Sequence, residues 1–276
     1  MAEKAILYDV TRCTACRGCQ AACKQWNEND EAWDYMTTVN TGSYENPPDL
    51  SPKTWLKIEF REREVGGKLY WDFNRRACMH CTDAGCVKVC PSGALYHHEL
   101  GFVAYDRTLC TGCGYCVEAC PFDVPRYERN VLTGKAVMDK CTFCTTLGLN
   151  RIEEGLEPAC VKTCPTDALI YGDREELLEE GRKRVSDLVA KGNSQAYLYG
   201  ETEMNGLHVL YVLPDSPEVF GMPVNPKVPA LVNAWQDVVQ PLGLGLGGVV
   251  IVGLGLNYLV ARANVNKEKE HAKGNR

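Results

Sequence analysis

The chain has 276 residues, with 30 Lys and Arg against 36 Asp and Glu, which gives a formal net charge of −6. This length allows one large domain or two modest ones with appended segments, and the acidic balance argues against a nucleic-acid partner, whose phosphates require a basic surface. Hydrophobic residues at 45% and charged residues at 24% exclude a wholly disordered chain. The unusual feature is the sixteen cysteines, which indicate a disulfide framework or a set of metal sites.

The cysteines fall into four groups of four along the chain. The groups are Cys13, Cys16, Cys19 and Cys23; Cys78, Cys81, Cys86 and Cys90; Cys110, Cys113, Cys116 and Cys120; and Cys141, Cys144, Cys160 and Cys164. The first and third groups read C-x2-C-x2-C-x3-C, the second widens the middle gap to four residues, and the fourth widens it to fifteen. A proline follows the last cysteine of every group except the first, where Lys24 stands.

Three interpretations of these groups compete. Disulfides need paired Cα atoms about 4.4–6.8 Å apart, which cysteines crowded into one short loop rarely achieve. Structural zinc usually takes two C-x2-C knuckles, and only the fourth group approaches that shape. An iron–sulfur cluster takes three thiolates from a C-x2-C-x2-C loop, and the next cysteine ligates the other cluster of a pair. Repeated four times with no cysteine left over, this pattern predicts four [4Fe–4S] clusters held by sixteen thiolates.

An internal repeat supports this count. The repeated stretches are CVKVCPSGAL at 86–95, CVEACPFDV at 116–124 and CVKTCPTDAL at 160–169. Each is typical of a ferredoxin half-unit, a short helix that ends at Cys-Pro and turns into a strand. We predict strands at Gly101–Tyr105 and Ala168–Tyr171. Four half-units predict an α+β fold of two two-cluster ferredoxin-like modules within residues 1–172.

Residues 24–77 form an insertion between the first two cysteine groups. Lys24 replaces the expected proline, so we predict a looser turn after Cys23 without loss of ligation. Two strands are predicted in the insertion, Thr54–Arg61 and Lys68–Phe73. Four tryptophans are expected to pack over the clusters and exclude water, with direct docking of a partner as a compatible alternative: Trp26, Trp33, Trp55 and Trp71.

Residues 173–235 are predicted to connect the cluster domain to a hydrophobic segment. Asp173–Lys191 reads as a helix capped by Asp173 and closed by Gly192. Its apolar stripe comprises Leu177, Gly181, Val185, Leu188 and Val189. A strand is predicted at Leu207–Leu213, followed by an extended proline-rich connector at Pro214–Pro229.

The segment 236–262 is predicted to be a single transmembrane helix, because Val238–Ala261 carries no charged residue. Trp235 and Tyr258 suit the two membrane interfaces. Six glycines permit close approach of another transmembrane helix and so imply a membrane partner: Gly243, Gly245, Gly247, Gly248, Gly253 and Gly255.

The flanks of this segment predict its orientation. The tail at 263–276 is basic, since Lys267, Lys269, Lys273 and Arg276 outnumber Glu268 and Glu270. The positive-inside rule then puts the C-terminus in the cytoplasm and the cluster domain on the periplasmic side of the inner membrane. The stretch MAEKAILYDV has no basic region, apolar core or twin arginine, so we expect the domain to cross together with a signal-bearing partner.

No motif for a catalytic site is found. The sequence contains no P-loop, no G-x-G-x-x-G after a strand and no H-E-x-x-H, and the five histidines show no metal-ligand spacing. Lys88 and Lys162, inside C-x3-C turns, are candidates for raising cluster potentials, with plain surface lysines as the alternative. We expect the chain to conduct electrons and to leave bond-making to another subunit.

The cysteine motifs resemble the four-cluster electron-transfer subunits of membrane-bound molybdenum or tungsten oxidoreductases. Within that family four stretches are similar to the iron–sulfur (β) subunit of respiratory formate dehydrogenases: DVTRCTACRGCQAACKQWN at 9–27, NTGSYENPPDLS at 40–51, PACVKTCPTDAL at 158–169 and AYLYGETEMNGLHVLYVL at 196–213. The resemblance spans nearly the whole chain. Cys113 departs from nitrate reductase relatives, which carry Trp there and a three-iron cluster.

The resemblance implies that the first cysteine group pairs with the fourth and the second with the third. The implied ligand sets are set A (Cys13, Cys16, Cys19, Cys164), set B (Cys23, Cys141, Cys144, Cys160), set C (Cys78, Cys81, Cys86, Cys120) and set D (Cys90, Cys110, Cys113, Cys116). From the spacing alone, simple sequential pairing of the groups remains open.

The resemblance also implies a function. Electrons would pass from a catalytic formate-oxidising molybdopterin or tungstopterin subunit through four [4Fe–4S] clusters to a membrane cytochrome b and quinone. The alternatives are the ferredoxin-like subunit of a membrane-bound nickel–iron hydrogenase or of another molybdopterin oxidoreductase, and a zinc-stabilised membrane adaptor.

Overall fold

The computed structural model describes residues 2–29, 44–129, 136–146 and 148–274. The chain divides into two compact units, Met1–Val228 and Pro229–Arg276. Trp33, one of the tryptophans expected over the clusters, lies outside the described residues.

The first unit mixes short helices with short strands. Its strands are β1 (Lys4–Asp9), β2 (Leu56–Val65), β3 (Lys68–Ala77), β4 (Leu95–His97), β5 (Val103–Tyr105), β6 (Arg126–Arg129), β7 (Ala136–Asp139), β8 (Thr145–Thr146), β9 (Leu149–Asn150), β10 (Leu169–Asp173), β11 (Tyr197–Tyr199) and β12 (Val209–Leu213). Its helices are α1 (Gly18–Trp26), α2 (Gly85–Lys88), α3 (Tyr115–Glu118), α4 (Ala159–Lys162) and α5 (Arg174–Ala190).

The central sheet has the strand order β10-β1-β12-β11, so the first strand lies among strands from the far end of the unit. β1 is antiparallel to β10 and parallel to β12. Both β1 and β12 are almost entirely buried, as expected for apolar runs covered on both faces. Tyr8 of β1 pairs with Leu169 of β10, and the Asp9 N–H donates to the Ala168 carbonyl at 2.8 Å. Because Cys13 follows β1 and Cys164 precedes β10, this pairing brings the first and fourth cysteine groups together.

Helix α5 covers one face of this sheet with a small apolar core. The core comprises Ala5, Leu7, Leu177, Leu178, Leu198, Leu210 and Val212. The predicted stripe was wrong at its end, since Val189 is 47% exposed. The predicted cap was also wrong: the Asp173 side chain makes no cap hydrogen bond and accepts one from Lys4 Nζ at 2.7 Å instead.

The insertion is dominated by the long hairpin of β2 and β3, both of which run further than predicted. The two strands pair along their whole length, and Gly66 and Gly67 join them with φ angles of 60° and 78°, as a two-residue hairpin turn requires. Trp71 is 47% exposed on this hairpin, where it contacts Phe60 and Phe73. The expectation that the tryptophans cover the clusters therefore fails for Trp71.

The proline-rich connector is not extended throughout. A 3-10 turn forms at Pro217–Phe220, and the Phe220 side chain is completely buried. The turn gives this apolar side chain a place in the core, which an extended connector would leave in water.

The second unit is helical. It begins with α6 (Ala230–Ala234), passes through a π-helical turn at Trp235–Val239 and continues as α7 (Gln240–Gly274). Pro241 has no N–H for a normal helical bond, and such single π turns commonly absorb an irregularity of this kind. Within the described residues, the stretch Gln240–Asn264 is the one helix long and apolar enough to cross a membrane, and none of it is buried. A single candidate span is consistent with a membrane anchor.

Candidate functional site

All four C-x2-C loops share an uncommon backbone conformation. The residue immediately before the second cysteine has a positive φ in each loop: Ala15 (52°), His80 (51°), Gly112 (68°) and Phe143 (60°). Three of these four are not glycine, and a left-handed conformation strains such residues. Backbone strain concentrates at ligand-holding sites, so the four loops share a shape that the fold maintains against a local cost.

The left-handed residue turns backbone N–H groups towards the first cysteine of its loop. The Ala15 N–H donates to Cys13 Sγ at 3.4 Å. Burial alone would raise the pKa of Cys110, but hydrogen bonds from the Met138 backbone, the Tyr105 side chain and the Gly112 backbone outweigh burial, and the pKa of Cys110 is lowered. N–H donors of this kind stabilise thiolate and are a principal way in which proteins set the potential of iron–sulfur groups.

Three short helices carry the third cysteine of their groups, as the repeat predicts. Cys86, Cys116 and Cys160 lie in α2, α3 and α4. The next cysteine of each group closes the helix through its own N–H, which bonds the carbonyl of Val87, Val117 or Val161. The proline that follows has no N–H with which to continue.

The first group differs because Lys24 replaces the proline. Helix α1 continues through Cys23 to Trp26, and the Asn27 N–H bonds the Cys23 carbonyl at 3.2 Å. The predicted looser turn was therefore wrong, since a residue with an N–H lets the helix continue. Cys23 lies inside the helix and is buried.

Gly112 has no room for a side chain. A Cβ at this residue would lie 2.2 Å from the Ala136 carbonyl oxygen, with φ at +68°. We expect Gly112→Ala to cost the conformational strain of about 1–2 kcal/mol plus the displacement of β7. The measurement is the free energy of unfolding with the iron content of the purified protein. Gly114→Ala is the matched control, because Gly114 also has a positive φ but its nearest contact is 3.7 Å away; equal losses for both variants would contradict the clash argument.

Thiols from the first and fourth cysteine groups lie near one another. Burial raises the pKa of Cys13, and the thiols of Cys16 and Cys164 raise it further, against opposing hydrogen bonds. Burial likewise raises the pKa of Cys23 well above its ordinary value, and the thiols of Cys141, Cys144 and Cys160 raise it further, against the charge of Arg75.

Thiols from the second and third groups also lie together. Burial raises the pKa of Cys81, and Cys78, Cys120 and Cys86 raise it further. Helix α2 packs against α3. At this contact Gly85 approaches Ala119 so closely that a Cβ would lie 2.6 Å from the Ala119 carbonyl oxygen.

One cavity is lined by four cysteines at once: Cys90, Cys110, Cys113 and Cys116. Tyr105 and Met138 lie beside them. Burial raises the pKa of Cys116 to about 12, with the thiols of Cys113, Cys110 and Cys90 as further causes. Thiols with raised pKa values bind metal by giving up their protons, and sulfur-only donors suit iron–sulfur clusters.

The chemistry of the donor set fits iron–sulfur groups. The side chains that lie together are thiols from the four cysteine groups, and cysteine thiolates are the ligands that hold iron–sulfur clusters.

Comparison with known proteins identifies the modules. Residues 12–94 and 69–174 each match a family model described as a 4Fe–4S dicluster domain. The nitrate-inducible iron–sulfur subunit of formate dehydrogenase from Escherichia coli (strain K12) is 40% identical over 97% of this chain and 87% of its own length. The formate dehydrogenase-O iron–sulfur subunit of the same organism is 42% identical over 87% of this chain and 77% of its own length.

The chain belongs to the family of formate dehydrogenase iron–sulfur subunits. A protein of a hydrogenase operon is also similar to this chain, at lower identity. The hydrogenase-2 operon protein HybA of Escherichia coli O157:H7 is 34% identical over 78% of this chain and 65% of its own length. The resemblance of the sequence to formate dehydrogenase subunits is thus confirmed, and the two 4Fe–4S dicluster domains establish an iron–sulfur protein with ferredoxin-like modules.

Two buried, positively charged side chains of this protein, those of Lys140 and Arg75, were not predicted from the sequence. Lys140 is 1% exposed, and its Nζ donates to the carbonyls of Val103 and Cys141, each at 2.9 Å. Its charge also opposes the burial-driven rise in the pKa of Cys78. The second cation is Arg75, also 1% exposed.

The two lysines singled out from the sequence lie elsewhere. Lys88 forms an ion pair with Asp83 at 2.6 Å, and the Lys162 side chain is 72% exposed. Lys140 differs from them in being buried, and burial is a tertiary property that no local pattern reveals.

Proposed function

We propose that this chain is the electron-transfer subunit of a membrane-bound formate dehydrogenase. It carries electrons from a catalytic formate-oxidising molybdopterin or tungstopterin subunit to a membrane cytochrome b and quinone. The observation that carries the proposal is the near-full-length similarity to formate dehydrogenase iron–sulfur subunits in a chain with sixteen cysteines in four loops. The chain supplies ligands, burial and charge, and the chemistry on formate belongs to its partner.

The proposed cofactors are four [4Fe–4S] clusters, which supply one-electron redox chemistry. The proposed ligand sets are the nested sets A to D defined above. Sets A and B are supported by the pairing of β1 with β10 and by the thiols that act on Cys13 and Cys23. Set C is supported by the thiols around Cys81 and set D by the cavity lined by its four cysteines.

The proposed order of neighbouring sets is A, B, C and D, and it is supported by the thiols that influence one another across the sets. Cys160 of set B acts on the pKa of Cys19 of set A, and Cys141 of set B acts on that of Cys78 of set C. Cys116 of set D similarly acts on Cys86 of set C. The exposed thiols are Cys16 and Cys113, one at each end of this series. We propose that electrons enter and leave at these two ends.

We further propose that the chain is anchored in the inner membrane by the segment 236–262. The cluster domain (1–172) and the connector (173–235) then lie on the periplasmic side, and the basic tail (263–276) lies in the cytoplasm. The positive residues of the tail support this orientation. The glycine-rich helix supports a membrane partner, since small residues let transmembrane helices approach closely.

The function is tested on the detergent-solubilised native complex under strict anaerobiosis. Electron paramagnetic resonance of the clusters is recorded after formate, after hydrogen in a separate sample, and after dithionite as the reference. Formate should reduce the clusters and hydrogen should not. Reduction by hydrogen alone would instead assign the chain to a hydrogenase, the alternative that the similarity to HybA favours. If neither formate nor hydrogen reduces the clusters while dithionite gives a normal signal, the proposal of iron–sulfur clusters stands and the proposal of formate as the electron source is rejected.

A further inference from the structure

Arg75 is a buried arginine whose charge lacks a carboxylate partner within the described part of the chain. Its side chain is 1% exposed, and Nε, Nη1 and Nη2 are all buried without a hydrogen-bond partner among the described atoms. Arginine remains protonated in proteins, and a buried charge is costly unless something compensates it. The surroundings of Arg75 must therefore supply a compensating negative charge.

Carboxylates are available close to Arg75 in the sequence, because the adjacent residue Arg76 is paired with three of them. Arg76 forms ion pairs with Asp49 at 3.0 Å, Glu59 at 3.7 Å and Asp123 at 2.9 Å. Successive side chains of a strand point to opposite faces, so β3 directs Arg76 towards acidic residues and Arg75 away from them.

The face that Arg75 occupies is lined by cysteine ligands. Burial opposes its charge, but Tyr211 and three thiols favour it, and the pKa of Arg75 is raised. Five thiols interact electrostatically with Arg75, so that the charge on one partner shifts the pKa of the other: Cys19, Cys23, Cys78, Cys141 and Cys160. These cysteines come from sets A, B and C, and three of them belong to set B.

We propose that Arg75 sets the reduction potentials of the clusters in sets A, B and C, by placing a permanent positive charge and N–H donors against their sulfurs. This inference rests on the proposed function, because it requires clusters in those sets. Reduction adds one electron and one negative charge beside the guanidinium, and no bond forms or breaks. No proton moves, because the guanidinium is already protonated and stays so. The nearby charge stabilises the reduced state more than the oxidised state and raises the potential.

The test is a potentiometric titration of the anaerobic native complex, followed by electron paramagnetic resonance. Arg75→Gln should shift the midpoint potential of set B most strongly towards negative values, with smaller negative shifts for sets A and C. Set D is an internal control, since the leading influences on Cys116 are burial and the other set D thiols, with no contribution from Arg75 among them. Arg75→Lys should shift the same potentials less, because it keeps the charge but loses the planar fork of donors.

Arg63→Gln is the matched control on the same hairpin. Arg63 is held by the carboxylates of Asp72 at 2.6 Å and Asp215 at 2.5 Å, so its loss should leave every potential unchanged. Wild-type potentials in an Arg75→Gln protein that retains about sixteen irons would overturn the inference and leave the proposed function intact. If Arg75→Gln binds less iron, the neutral variant Arg75→Met is titrated in its place, and wild-type potentials for its clusters would overturn the inference. A wild-type complex without clusters would overturn the inference and the proposed function together.

Discussion

Combining Cys13→Ala with Cys164→Ala should remove no more iron than either substitution alone. Under nested pairing both cysteines belong to set A, so each single variant and the double variant should lose one cluster, which is about four irons of about sixteen. Sequential pairing of the cysteine groups would put the two residues in different clusters, and the double variant would then lose about eight irons. Iron and acid-labile sulfide analysis of the purified complex distinguishes the two results.

In the matched control, a second double variant, the two pairings predict the opposite iron losses. Cys13→Ala with Cys90→Ala combines set A with set D, so nested pairing predicts the loss of about eight irons. Sequential pairing would place Cys13 and Cys90 in one cluster and predicts about four. Nested pairing is contradicted if the Cys13 and Cys90 double variant loses only one cluster while the Cys13 and Cys164 double variant loses two.

The individual cysteine loops could be predicted because ligation imposes its spacing within a few residues. The helices that carry Cys86, Cys116 and Cys160 follow from the repeat and from the proline that ends each one. The long hairpin was only partly predicted. Gly66 and Gly67 form a short-range hairpin signal, and giving that signal more weight would have extended the first strand from Arg61 to Val65. The second strand begins at Lys68 as predicted and runs beyond Phe73 to Ala77, where it pairs with the start of the first strand.

Features that depend on distant parts of the chain could not be predicted in the same way. The pairing of β1 with β10 joins Lys4 to Asp173, and no local pattern specifies such a partner. Arg75 and Lys140 read as ordinary surface residues in a charged stretch, yet both are buried. A buried cation becomes intelligible only once the thiols around it are in place, which is why sequence analysis chose Lys88 and Lys162 instead.

The second large effect concerns the apolar helix. Ile251 lies near the middle of Gln240–Asn264, and its side chain is 72% exposed. If this exposed surface faces lipid, Ile251→Arg should worsen membrane insertion by about 3–4 kcal/mol, the difference between Ile and Arg at a helix centre. The measurement is insertion into inner-membrane vesicles, read by protection of a reporter on one side of the helix and by resistance to alkaline extraction.

Two control variants separate the position of the charge from the substitution itself. Ile251→Leu keeps the apolar character and should insert like the wild type. Asn264→Arg adds the same charge at the end of the span, where a long side chain reaches the interface and the cost is small. A lipid-facing anchor therefore requires a large loss of insertion for Ile251→Arg alone. If Ile251→Arg inserts as well as Asn264→Arg, the centre of this helix does not lie in hydrocarbon, and its exposed apolar surface must instead be covered by protein.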